Sequence, residues 1–257
     1  MWPQSKECHS LSAQYAIITL TLTSDYVQGS LVLCRSIRGQ GLSPDVTLIS
    51  YVPPDAPERG IDLAELGRCF DRVETQRPVS VSKEPSFFRF KEQYVKLRLW
   101  AAVEFERVVY MDSDFLVVQL EPILRLLRSP ALRFGAVRDF QAGEFREWWN
   151  GGFMVLQPDI DTYVELMNQL EPFIQQGRFD TEKAEQGYVS AFFENRGFSL
   201  PTVFNLNLAI MTQRPELWQQ YVNEAVAIHF TLEKPWASQN TGDPFDRWHV
   251  LASINSS

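Results

Sequence analysis

Arg107-Val108-Val109-Tyr110-Met111-Asp112-Ser113-Asp114-Phe115-Leu116-Val117-Val118 joins an apolar, β-branched and aromatic run to two carboxylates, and these to a second apolar run. The first run has the composition of a buried strand, central in a mostly parallel sheet. In open α/β sheets, ligands gather beyond the carboxyl ends of the strands. Residues two apart on an extended chain face the same side, so Asp112 and Asp114 can address one ligand. Close carboxylates repel and raise each other's pKa unless a cation lies between them. A hard divalent ion, Mg²⁺ or Mn²⁺, meets that need and commonly holds substrate phosphates as well. An isolated Asp-x-Asp also serves turns and helix caps. This one is flanked by apolar sequence, where uncompensated charge is costly.

The 257 residues suffice for a large α/β domain, and 45% hydrophobic with 22% charged residues is an ordinary globular composition. A net charge of −8 argues against nucleic acid or an anionic membrane surface as partner, since both need a basic footprint. Cys8, Cys34 and Cys69 are an odd set without close spacing, read as free thiols rather than as a disulfide framework or a zinc site. No signal-peptide pattern marks the first residues and no segment approaches a membrane span, so a reducing, cytoplasmic setting is expected. The terminal sequon Asn255-Ser256-Ser257 is discounted as a glycosylation site.

Residues 1–14 lack periodicity and read as a loose arm; residues 15–257 read as one domain, without internal repeat or linker-like composition. Strands are expected at 15–22, 46–52, 72–79, 134–137 (ending at Asp139), 153–157 and 225–230. Helices are expected after Thr23-Ser24-Asp25, where Val27, Leu31 and Cys34 share a face, and at 63–70, 90–104, 122–127, from Ile160, at 182–195 and at 215–223. Residues 140–149 read as a polar loop with two Trp, and the chain beyond Trp236 shows little pattern. The alternation of strand and helix points to a Rossmann-like, doubly wound sheet.

Several other residues are typed for chemistry, each with a plainer reading beside it. His229, at a strand end, is a structural histidine or a third metal ligand. Lys234 is a solvated lysine or a phosphate contact. Lys96, with Arg89 upstream, reads as an exposed pair or as groups for a diphosphate. Asn150-Gly151-Gly152 is a turn, or a place where backbone approaches a ligand while Asn150 bonds hydroxyls. Glu185-Gln186 is a wet helix face or part of a site. Asp139 contacts a sugar or caps a turn.

Taken in order, these residues resemble the glycogenin-like glycosyltransferases, the retaining family 8 with the GT-A fold. The resemblance runs from about Tyr15 to Trp236. It rests on residues 20–29, Lys96-Leu97-Arg98-Leu99-Trp100, Val108-Val109-Tyr110-Met111-Asp112-Ser113-Asp114, residues 150–158, Glu185-Gln186-Gly187, and His229-Phe230 with Lys234-Pro235-Trp236. It implies a single GT-A domain, a UDP-sugar donor (UDP-glucose or UDP-galactose), Mn²⁺ with Mg²⁺ as the alternative, and a hydroxyl acceptor. Asp112, Asp114 and His229 would hold the metal. Lys96 and Lys234 would touch the diphosphate, with Arg89 and Ser113 beside it. Leu20, Thr23 and Tyr26 would surround the uridine. Asn150, Gly151, Asp139, Glu185 and Gln186 would face the sugar and acceptor. Many relatives pair, so a homodimer is a further expectation.

The chain also departs from the family pattern. Glu185 stands where Asp is usual, and Thr23 where Asn is common. The segment from His229 to Lys234 is one residue shorter than in glycogenin. No tyrosine occurs in residues 208–215, which argues against self-glucosylation there. Two rival readings are a sugar nucleotidyltransferase and a non-catalytic sugar-nucleotide-binding protein. The first would place a basic, Gly-rich loop after the first strand, and residues 23–29 carry neither Lys nor Arg.

Overall fold

The computed structural model describes residues 14–86 and 91–254. Arg89, Cys8, the terminal sequon and nearly all of the expected N-terminal arm lie outside those residues. The main sheet has seven strands in the order β3-β2-β1-β4-β7-β6-β8: β1 Tyr15–Leu20, β2 Val46–Val52, β3 Arg72–Thr75, β4 Arg107–Met111, β6 Phe134–Gln141, β7 Glu144–Leu156 and β8 Phe198–Leu200. The pairs β1–β2, β2–β3, β1–β4 and β6–β8 are parallel; β7 runs antiparallel to both β4 and β6. The fold is therefore a mixed, mostly parallel α/β sheet with β4 at its centre.

Strand alternation divides β1 and β4 between two cores. Ile17, Val109 and Met111 pack with α1 (Val27–Arg38) on one side. Ala16, Ile18, Val108 and Tyr110 pack on the other against the segment Glu92–Ala101, α4 (Ile160–Gln175) and α5 (Ala184–Phe192). Shorter helices α2 (Leu63–Gly67) and α3 (Glu121–Leu127) bury Leu66, Ile123, Leu124 and Leu127 in the core on the α1 side. A second sheet, β5-β10-β9, joins β5 (Phe115–Val117), β10 (Ala227–His229) and β9 (Leu206–Asn207). In the chain α6 (Leu208–Gln213) and α7 (Pro215–Tyr221) lie between β9 and β10, and α8 (Phe245–Ala252) follows β10.

Several sequence expectations need correction. The segment Glu92–Ala101 is a 3-10 helix and not an α-helix. Six of its ten residues are buried, among them Tyr94, Leu97 and Trp100 at the spacing of three that eclipses side chains in a 3-10 helix. Residues 140–149 are not a loop: they carry the β6–β7 hairpin, turning at Ala142 and Gly143, both with positive φ as type I′ turns require. Asn150-Gly151-Gly152 is accordingly inside β7 and not a turn before a strand. Phe245 and Trp248 bury one face of α8 in the tail that shows little pattern in sequence. Cys34 and Cys69 are not free thiols. They form a disulfide that ties α1 to the chain just after α2.

Gly29, in the first turn of α1, lets that helix press on the loop after β4. A Cβ there would lie 2.6 Å from the Trp236 ring and 2.7 Å from the Ser113 carbonyl oxygen. Gly29→Ala should lose about 1–3 kcal/mol to overpacking, more than the roughly 1 kcal/mol that Ala gains over Gly in a helix. Denaturant unfolding is expected to show the net loss.

Candidate active site

The carboxyl end of β4 delivers Asp112 and Asp114 to the rim of the sheet, and β5 begins directly after them. Antiparallel pairing of β10 with β5 sets His229 opposite Phe115, and the Phe230 amide donates to the Asp114 carbonyl oxygen at 2.9 Å. Strand register thus brings an imidazole from far along the chain to the acidic pair. The His229 ring stacks on Phe115 with centroids 4.1 Å apart. Its Nε2 lies 3.2 Å from Asp114 Oδ1 and 3.9 Å from Asp112 Oδ2. Ligand atoms of the three residues all fall within 4.8 Å of one another. Two carboxylates and an imidazole form a donor set suited to a first-row divalent ion such as Mn²⁺.

Each carboxylate also has a lysine. Lys96 is 3% exposed, so its reading as an exposed residue is overturned. Its Nζ donates to Asp112 Oδ1 (2.9 Å), Glu185 Oε1 (2.9 Å) and the Gly151 carbonyl (3.2 Å), which engages all three ammonium protons. Burial opposes its charge, but Asp112 and Glu185 outweigh that, and its pKa is raised above that of an ordinary lysine. Asp112 Oδ1 accepts a further bond from the Tyr110 hydroxyl. Lys234 is largely covered and not a solvated surface residue: its Nζ donates to Asp114 Oδ2 and to the Phe230 carbonyl at 2.7 Å. Burial pushes the Asp114 carboxyl up, yet His229 and Lys234 prevail and hold it below the usual carboxylate range.

A second polar cluster adjoins the first. Glu185 is 4% exposed; burial raises its pKa and Lys96 only partly offsets this. It follows Ala184, a non-glycine residue at φ 47°, so backbone strain is stored at the start of α5 beside the site. Gln186 accepts from the Gly151 amide (2.8 Å) and donates to Asp139 Oδ2 (3.2 Å). Asp139 lies within β6 rather than at its end; it also accepts from Asn150 Nδ2 (2.8 Å) and the Trp148 indole (3.2 Å). The Asn150 side chain is thereby engaged within the protein, through Asp139, the Gly152 amide and Asn205.

These groups line a cleft of about 390 Å³. Leu20, Thr23, Tyr26, Lys96, Asp112, Ser113, Asp114, Asp139, Asn150, Gly151, Glu185, Gln186, His229 and Lys234 all border it. Arg89 lies outside the described residues. Sequence reasoning did not single out Gln93, Tyr110, Lys183 or Thr231, which also border the cleft, or Asn205 behind it. Tyr110 was readable only as core, because its ring is buried and just the hydroxyl reaches the site. Apolar side chains, lysines and an acid–imidazole floor meet in this cleft.

The fold has relatives among solved structures. The galactosyltransferase LgtC, in complex with donor and acceptor sugar analogs, superposes with a TM-score of 0.56 at 16% identity, covering 92% of this chain and 95% of that one. Apo GlyE of Streptococcus pneumoniae TIGR4 gives 0.66 at 15% identity, covering 95% of this chain and 61% of the other. The architecture is that of a GT-A glycosyltransferase. The sequence profile of glycosyl transferase family 8 matches residues 17–240, and the chain belongs to that family. It is 28% identical over 247 residues to galactinol synthase 1 of Solanum lycopersicum, spanning 87% of this chain and 74% of that enzyme. It is 26% identical over 254 residues to glycogenin-1 of Caenorhabditis elegans, spanning 92% of this chain but only 54% of that protein.

Proposed function

We propose that the protein transfers a hexosyl group, glucose or galactose, from a UDP-sugar to a hydroxyl acceptor with retention of anomeric configuration, using Mn²⁺ held by Asp112, Asp114 and His229. The observation that carries this reading is the convergence of those three ligand atoms within 4.8 Å on the floor of the cleft. Galactinol synthases and glycogenins among the relatives make galactose and glucose the donors to try first. A bound divalent ion supplies charge stabilisation to a departing diphosphate. Lys234, at the cleft wall, adds a positive charge beside it. Lys96, its three protons already engaged, holds Asp112 and Glu185 in place. Thr23, Tyr26 and Leu20 offer a surface for the uracil and ribose.

Front-face attack is the favoured route to retention. A double displacement needs a free carboxylate nucleophile at the anomeric carbon. Glu185 Oε1 is bonded to Lys96, and the Asp139 oxygens serve Asn150, Trp148 and Gln186. The acceptor is to be sought among saccharides, inositols, lipid headgroups and protein side chains, and a homodimer is proposed on family grounds alone. Among the described residues no helix is long and apolar enough to cross a membrane. A cytoplasmic setting belongs to the same proposal, although the Cys34–Cys69 disulfide removes the support it had from free thiols.

The test is UDP release across a donor panel with and without Mn²⁺. Turnover with UDP-galactose or UDP-glucose that disappears on chelation is the expected result. Tight UDP binding without metal-dependent release would instead favour a binding protein. Pyrophosphate release from an NTP and a sugar phosphate would favour a nucleotidyltransferase.

A further inference from the structure

Behind the acid–imidazole floor runs a chain of side-chain amides whose orientation is fixed at both ends. The Asp139 carboxylate only accepts, so Asn150 turns Nδ2 toward it (2.8 Å). The Gly152 amide only donates, so Asn150 Oδ1 faces it (2.9 Å). Both constraints give Asn150 the same orientation. Its Oδ1 then accepts from Asn205 Nδ2 at 2.8 Å, which leaves Asn205 Oδ1 facing His229 Nδ1 at 2.9 Å. An amide oxygen cannot donate, so the proton on that contact belongs to His229 Nδ1. In the uncharged imidazole this leaves the Nε2 lone pair on the side of Asp112 and Asp114. Asn205 and His229 are 3% and 4% exposed, so water does not compete for these bonds. The geometry is built into the second sheet: Asn205 immediately precedes β9, whose Asn207 is in register with His229.

We propose that Asn205 is a positioning residue that sets the tautomer of His229, holding the proton on Nδ1 so that Nε2 is free for a divalent cation, with Asp139 and Asn150 orienting Asn205 in turn. The inference rests on the metal reading above and adds to it a residue that touches neither nucleotide nor ion. Partners that fix a ligating imidazole typically change metal affinity by about ten- to hundredfold when removed.

Two measurements on the whole chain test it. In the metal-free protein at alkaline pH, ¹⁵N-labelled histidine spectra should show neutral His229 protonated on Nδ1; protonation on Nε2 overturns the proposal without any variant. Mn²⁺ titration followed by the EPR signal of free Mn²⁺ should show about a ten- to hundredfold weaker site in Asn205→Leu. Asn205→Asp keeps an acceptor for Nδ1–H and should recover most of that loss. A folded Asn205→Leu protein that binds Mn²⁺ like the wild type overturns the relay alone. A wild-type protein that binds no Mn²⁺ overturns the metal reading, and the inference with it.

Discussion

Gly152→Ala is expected to abolish divalent-metal binding while leaving the fold intact. A Cβ at this position would lie 2.4 Å from His229 Cε1, 2.9 Å from Asn150 Oδ1 and 3.0 Å from Asp112 Oδ2. None of these neighbours retreats easily. The His229 ring is stacked on Phe115 and tied to Asn205, and Asp112 is held by Lys96 and Tyr110. The added methyl would therefore spread the ligands apart. We expect Mn²⁺ affinity to fall by at least about a hundredfold, the upper range for disturbing the shell around a metal ligand, and UDP release to fall with it. Gly151→Ala is the contrasting variant. Its Cβ would meet Glu185 Oε1 at 2.9 Å and the Gln186 side chain at 3.4 Å. It should lower turnover and spare Mn²⁺ affinity. Equal metal affinity in wild type and Gly152→Ala would remove the assigned ligand set.

Lys96→Met should harm stability and activity together. The side chain keeps its length, but Asp112 and Glu185 lose the cation between them, and Glu185 is almost fully buried. Breaking a buried ion pair by removing one partner typically costs about 3–5 kcal/mol. A large part of that is expected in denaturant unfolding. Metal affinity should drop too, because Asp112 would lose the bond that aims Oδ2 toward His229. Lys96→Arg is not a conservative control: the planar guanidinium cannot place three donors on Asp112, Glu185 and the Gly151 carbonyl from the same enclosed position. An unaltered unfolding curve for Lys96→Met would mean that the lysine is not the clamp described above.

How much of this was legible in sequence depended on how local each signal is. Val108 to Met111 followed by Asp112 and Asp114 reads directly, because a uniformly apolar strand with charge at its end has few other physical meanings. His229 was legible as a candidate, but its partnership with the acidic pair depends on the β5–β10 register, which no local pattern carries. The β6–β7 hairpin was missed because its turn is Ala142-Gly143. Alanine is a poor occupant of positive φ, and the usual Asn-Gly or Asp-Gly signal is missing. Register shifts between Ala136 and Arg138, and between Arg138 and Phe140, also break the alternation that marks a strand. Lys96 was legible as a candidate, but its burial and its bonds to Asp112 and Glu185 come from elements distant in sequence that its own segment does not announce. Asn205 carried no signal, since a lone amide acquires its role only from what faces it.

The Cys34–Cys69 bond has a consequence for where the protein is at its sturdiest. It closes a loop of 35 residues, and chain-entropy reasoning assigns such a closure roughly 3–4 kcal/mol against the unfolded state. That contribution exists only where thiols stay oxidised, so the same polypeptide has two different safety margins on the two sides of a redox boundary. The element fastened by the bond is α1, and α1 carries Gly29 against Ser113. A strong reductant would thus act on a wall of the cleft from outside its lining.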